Sequence, residues 1–128
     1  MADKSDWKLL KDKAEFPPQA YHFVREGLAH TVRMIHGEGP LARMDDESRH
    51  VSGQQLCMGL RDFAIKQYGR LAKTVLANWS IRETSDFGRI VFHMIEIGQM
   101  RKTEEDSPED FRGVFDFEEA FGDLSISK

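Results

Sequence analysis

Residues 85–100, SDFGRIVFHMIEIGQM, restrict what this chain can become more than any other stretch. Phe87, Ile90, Val91, Met94 and Ile95 recur at the i, i+3, i+4, i+7, i+8 spacing of one helix face. Phe92 and Ile97 fall off that stripe, so apolar side chains cover more than half of the circumference. A helix this apolar needs other elements around it, and the rest of the chain has to supply them. Ser85 is placed to cap it, and Asp86 puts a carboxylate beside the unpaired N–H groups of the first turn.

The first covering helix follows Pro17-Pro18, which suit a helix entrance because a first-turn N–H has no partner to lose. Tyr21, Val24, Leu28, Val32 and Ile35 form its stripe, Gly27 interrupts it, and His36-Gly37 end it. The second has the clearest start in the chain. Ser52 and Gln55 form an S-x-x-Q capping box, and Val51 can staple onto Leu56. Leu56, Leu60, Phe63 and Ala64 make its inner face, Met58 and Ile65 suggest a second contact surface, and Gly69 ends it. Leu71, Val75, Leu76 and Trp79 give a third, short amphipathic helix, and Ser80-Ile81-Arg82-Glu83 turns into the organising one.

The expected fold is therefore all-α, a single small orthogonal or bundle-like domain of four main helices at roughly 18–36, 53–68, 70–79 and 85–100. Residues 1–15 are expected as an N-terminal arm in which Trp7, Leu9 and Leu10 form a short leading helix or an anchor, residues 16–103 as the helical core, and residues 104–128 as an acidic, Phe-rich tail with a short helical element. Residues 37–51 read as a loop whose glycines, proline and Asp45-Asp46-Glu47 cluster bury little. In the tail, Ser107-Pro108-Glu109-Asp110 reads as N-cap, N1 proline and first-turn acids, and Asp116 with Glu119 forms a D-x-x-E cap for Phe117-Glu118-Glu119-Ala120-Phe121.

At 128 residues there is length for one core. Nothing approaches the roughly 18 consecutive apolar residues of a membrane span, so no membrane partner is expected. The charged N-terminus lacks the apolar stretch of a secretory signal, which points to a cytoplasmic protein. Cys57 is the sole cysteine, among apolar neighbours where a thiol acts as a small hydrophobe. The net charge of −4 hides an asymmetry: nine of 22 acids fall between Glu104 and Asp123, opposed there only by Arg112. Residues 1–103 carry 16 Lys and Arg against 13 Asp and Glu, a net of +3.

The run His50-Val51-Ser52-Gly53-Gln54-Gln55-Leu56, then Gly59-Leu60-Arg61, Tyr68-Gly69, Ala72-Lys73-Thr74-Val75-Leu76, Trp79 and Asp86-Phe87-Gly88-Arg89-Ile90-Val91-Phe92, resembles a family of short uncharacterised proteins from planctomycete and verrucomicrobial bacteria. Arg25-Glu26-Gly27-Leu28, Asp110-Phe111 and Asp116-Phe117 add to the resemblance, which covers about residues 15–122. The family has no assigned activity. The resemblance implies a bacterial cytoplasmic setting and supplies no catalytic residue.

Chemistry-bearing patterns are sparse. Asp86-Phe87-Gly88 matches a kinase triplet by letters, but the chain lacks the glycine-rich loop, strand lysine and H-R-D loop that a kinase needs. His22, His30, His36, His50 and His93 show neither H-x-x-x-H nor C-x-x-C spacing, and His93-x-x-Glu96 reverses the order of di-iron bundles. Each reads first as a hydrogen-bonded structural histidine, with His93 the best candidate for a buried pH-sensitive group. There is no G-x-S-x-G, P-loop or G-x-G-x-x-G, and Gly37-Glu38-Gly39-Pro40 lacks the lysine of a phosphate cradle. No catalytic residue, metal site or cofactor is expected.

The leading expectation is a non-catalytic module that binds another protein, with the tail aromatics Phe115, Phe117 and Phe121 as anchors if the tail is exposed. The bland reading of the same phenylalanines is docking on their own core. The alternative is an RNA- or ribosome-associated factor using a basic helical face of Arg61, Lys66, Arg70, Lys73, Arg82 and Arg89. Residues 71–92 can be drawn as a helix-turn-helix, but the recognition helix would carry one arginine and be otherwise apolar. The acidic pI of 5.7 also weighs against that alternative.

Overall fold

A computed structural model of the protein describes residues 16–37, 51–98, 100 and 107–121. The expected arm at 1–15, most of the loop at 37–51 and both ends of the expected tail lie outside the described residues. Element order is α1 (Pro18–His36), α2 (Gly53–Tyr68), a 3-10 turn (Gly69–Leu71), α3 (Ala72–Asn78), α4 (Thr84–Glu96), a second 3-10 turn (Pro108–Phe111) and α5 (Phe117–Phe121). The described residues contain no strand. The fold is a small all-α domain of four main helices and a short C-terminal helix, as expected.

Local signals explain most boundaries. Pro17 is extended, Pro18 opens α1, and Gly37 closes it at φ 83° while its N–H donates to the Arg33 carbonyl at 2.9 Å. In α2 the capping box forms in full: the Gln55 N–H donates to Ser52 Oγ at 3.0 Å, and the Ser52 N–H donates to Gln55 Oε1 at 2.8 Å. The stapling pair Val51 and Leu56 is buried. Gly69 ends α2 at φ 54°.

The third helix starts later than its apolar spacing predicts. Residues Gly69–Leu71 turn as 3-10, and Leu71, expected on the inner face, is 62% exposed. At the other end α3 closes with a Schellman pattern that uses a serine. Ser80 sits at φ 66°, its N–H donates to the Ala77 carbonyl at 2.9 Å, and the Ile81 N–H reaches the Leu76 carbonyl at 2.9 Å. Leu76 and Ile81, the accompanying apolar pair, are both fully buried.

The organising helix is also shifted. It begins at Thr84, and the residue that organises its start is Asp86 rather than a Ser85 cap. Asp86 Oδ2 accepts from the N–H groups of Arg82 at 2.8 Å and Glu83 at 3.2 Å, and Oδ1 accepts from Arg89 Nη1 at 3.0 Å. A carboxylate that is 5% exposed needs such donors. α4 stops at Glu96 rather than residue 100, because Gly98 takes φ 81°.

α1 and α2 pack antiparallel. Thr31 meets Gly59, Gly27 meets Leu60 and Phe63, and Phe23 lies 5.4 Å from the Phe63 ring and 6.3 Å from that of Tyr68. The contact uses small residues. A Cβ on Gly59 would lie 1.8 Å from Thr31 Oγ1, and one on Gly27 would lie 2.2 Å from Leu60 Cδ2. Thr31 satisfies its hydroxyl within α1 by donating to the Gly27 carbonyl at 2.7 Å. The most buried face of α1 is thus Ala20, Phe23, Val24, Gly27 and Thr31 together with Tyr21, a rotation from the expected stripe. Leu28 and Val32 are only partly buried, and Ile35 is 39% exposed. Phe23 also approaches Trp79 at 5.7 Å and Phe87 at 6.4 Å, tying α1 to the end of α3 and to α4.

The C-terminal segment docks on this body. Phe111 sits in a saddle made by two glycines from different helices: a Cβ on Gly53 would lie 3.0 Å from Phe111 Cε1, and one on Gly88 would lie 2.8 Å from Phe111 Cβ. The Val114 N–H donates to Thr84 Oγ1 at 3.1 Å. Phe117 packs 5.8 Å from Phe87, and Phe121 lies 5.1 Å from Phe117 with its ring nearly perpendicular.

Candidate functional site

The groups that could do covalent or metal chemistry are committed elsewhere. Cys57 lies in the core with no exposed surface, and burial pushes its thiol up from 9.0 to about 12. The folded chain therefore favours the neutral thiol. That contribution to stability is complete below about pH 9 and is lost as the pH rises toward 12. Iodoacetamide at pH 8 is expected to leave Cys57 unmodified in the native protein and to modify it once denaturant opens the fold. Mass spectrometry reads the result, and rapid native alkylation would refute the buried placement.

Among the described residues, no group of three or more His, Cys, Asp or Glu is arranged to hold a metal ion. His93 Nδ1 hydrogen-bonds the Tyr21 hydroxyl at 2.9 Å, while its Nε2 is buried with no partner among the described residues. His30 Nε2 donates to Asp62 Oδ2 at 2.7 Å, with its ring 5.3 Å from that of Phe63. These two histidines link α1 to α4 and α1 to α2. His22 and His36 each have a partner, and His50 lies outside the described residues.

The six expected basic residues do not form one open face. Lys66 lies 3.6 Å from Asp62 one turn back. Lys73 is ion-paired with Glu118 of α5. Arg89 bonds Asp86 and places its guanidinium carbon 5.8 Å from the centre of the Phe16 ring. Arg70 sits exposed on the 3-10 turn with a contact of its own, and Arg82 is exposed on the connector between α3 and α4. Arg61 and Lys66 are five residues apart on α2, which rotates them about 140° from each other. Only Lys66, Arg70 and Lys73 share a locality, the corner where α2 turns into α3.

The tail aromatics require a correction as partner anchors. Phe121 is fully buried and Phe117 is 5% exposed, both against the protein's own core. Phe115 is partly buried, stacked at 5.5 Å on Phe117 and edge-on to Phe121 at 5.8 Å. The bland reading is the one observed: α5 packs against α3, and Phe117 lies against Phe87 of α4.

Apolar surface does appear on the α1–α2 seam. The His30–Asp62 bond fixes the register there. One turn further along each antiparallel helix, four residues after His30 and four before Asp62, come Met34 and Met58. They are 51% and 42% exposed, with Ile35 alongside. Met58 was legible as a second contact residue. Met34 was not, since its place beside Met58 depends on how the two helices are paired.

No family model, curated protein or solved structure matches the chain.

Proposed function

We propose that this protein is a non-catalytic interaction module that binds another protein, with the α1–α2 seam at Met34 and Met58 as the contact surface. The supporting observation is that Met34, Ile35 and Met58 lie exposed at one end of a helix pair whose contact elsewhere is tightly closed. Isolated exposed apolar residues need no explanation, but a cluster does. Methionine suits such a role, because its flexible, polarizable side chain adapts to a partner surface. The inert Cys57 supports a role without nucleophilic catalysis. The carboxylates held by Lys66, Lys73 and Arg89 weigh against an open nucleic-acid face. A bacterial cytoplasmic setting and membership of the family named above belong to the same proposal. No helix among the described residues is long and apolar enough to cross a membrane.

The test is an affinity pull-down from bacterial lysate at low and high salt, with and without nuclease. The wild type is compared with a Met34→Glu, Met58→Glu variant of confirmed helicity. Proteins retained at high salt after nuclease, and lost in the variant, are the expected result. Recovery of nucleic acid or ribosomal material that salt or nuclease removes, with no protein retained at high salt, would overturn the reading.

A further inference from the structure

Residues 63–82 contain four cations, Lys66, Arg70, Lys73 and Arg82, and no Asp or Glu. Three of the four fall on the corner where α2 passes through the 3-10 turn into α3. The carboxylates that meet this corner come from outside the stretch. Asp62 serves Lys66 from one turn back on the same helix. Glu118 serves Lys73 from 45 residues away.

The second pairing is held in place by the fold. α5 packs against α3, and its two phenylalanines, four residues apart on one face, are buried at 5% and 0% exposure. Glu118, next to Phe117, is carried on the solvent side, with its side chain 70% exposed and that of Lys73 44% exposed. The backbone that carries the carboxylate is therefore held beside Lys73, as that of a free tail would not be. An incoming phosphate has to displace it or accept its repulsion.

We infer that α5 is a built-in anion that masks the Lys73 end of this corner from the phosphate backbone of nucleic acid, an autoinhibitory contact. The inference is independent of the protein-binding reading. It accounts for a cationic stretch, flanked by Asp62 and Glu83, whose Lys73 meets an acidic helix anchored through its aromatics.

The test uses the full chain and a short fluorescent single-stranded oligouridylate, titrated by anisotropy over a series of salt concentrations. Glu118→Gln is expected to bind roughly two- to fivefold more tightly than wild type at low salt, the range expected for release of one exposed ion pair. Its log–log salt dependence should steepen by about 0.7, one added phosphate contact on a single strand. Glu119→Gln changes net charge equally but has no role at Lys73, so its salt slope should stay at the wild-type value. Adding Lys73→Gln to Glu118→Gln should abolish the gain. Circular dichroism confirms that each variant keeps its helices. An unchanged affinity for Glu118→Gln, an equal effect from Glu119→Gln, or no binding by any form would each overturn the inference.

Discussion

Gly59→Ala is expected to destabilise the protein by about 3 kcal/mol or more, a large part of the roughly 5–15 kcal/mol typical of a folded domain. The new Cβ would lie 1.8 Å from Thr31 Oγ1, 2.6 Å from its Cβ and 2.7 Å from its Cγ2. Thr31 cannot swing aside, because it is fully buried and β-branched side chains have restricted χ1 freedom in a helix. The helices must separate, which also loosens Leu60 against Gly27 and Phe23 against Phe63. The sign of the effect is informative. In a free helix, alanine is better than glycine by about 1 kcal/mol, so local propensity alone predicts stabilisation. Urea denaturation followed by circular dichroism measures the difference. Thr31→Ala in the Gly59→Ala background leaves a Cβ at the contact and should rescue little, whereas Thr31→Gly removes it and should recover part of the loss. A Gly59→Ala protein as stable as wild type would mean that the seam does not close as described, and the placing of Met34 beside Met58 would fall with it.

That contact also marks where the sequence stops being legible. Helix starts were readable wherever a local chemical signal exists: the Pro17-Pro18 entrance set α1, and the Ser52–Gln55 box set α2, each to the residue. The start of α4 was misplaced because Asp86, Ser85 and Glu83 all offer capping oxygens, and only the backbone path shows that Asp86 reaches back to Arg82 and Glu83. The face of α1 was misjudged for a different reason. Hydropathy periodicity identifies residues that avoid water, while the closest approach of two helices selects residues that are small. Gly27, Thr31 and Gly59 carry almost no hydropathy signal. The candidate site divides in the same way. The Lys66–Asp62 and Arg89–Asp86 pairs lie at helical spacings and could be read from the chain. The Lys73–Glu118 pair and the Met34–Met58 seam needed the packing of distant elements, which no local pattern encodes.

Phe121→Ala should cost about 3–5 kcal/mol, the range for removing a large aromatic from a core. This separates an integral C-terminal segment from a detachable one. Phe121 is fully buried and meets Phe117 edge-on, and Phe117 in turn packs on Phe87 of the central helix. Phe115 is partly exposed and touches the same two rings from outside, so Phe115→Ala should cost only about 1 kcal/mol. If the segment were a loosely held flap, both substitutions would be nearly silent in global stability and would instead free the flap to proteolysis. The glycine saddle argues the other way. Gly88 weakens its helix by roughly 1 kcal/mol against alanine in a helix interior, and the space that it and Gly53, the first residue of α2, leave is filled by Phe111. That loss is offset only while Phe111 stays in place. Chemical denaturation of the two variants, with limited proteolysis read by mass spectrometry, distinguishes the cases. A single cooperative transition shifted strongly by Phe121→Ala and weakly by Phe115→Ala is the expected result. A stable core that loses only its C-terminal segment would show that Glu118 is carried on a releasable element rather than fixed over Lys73.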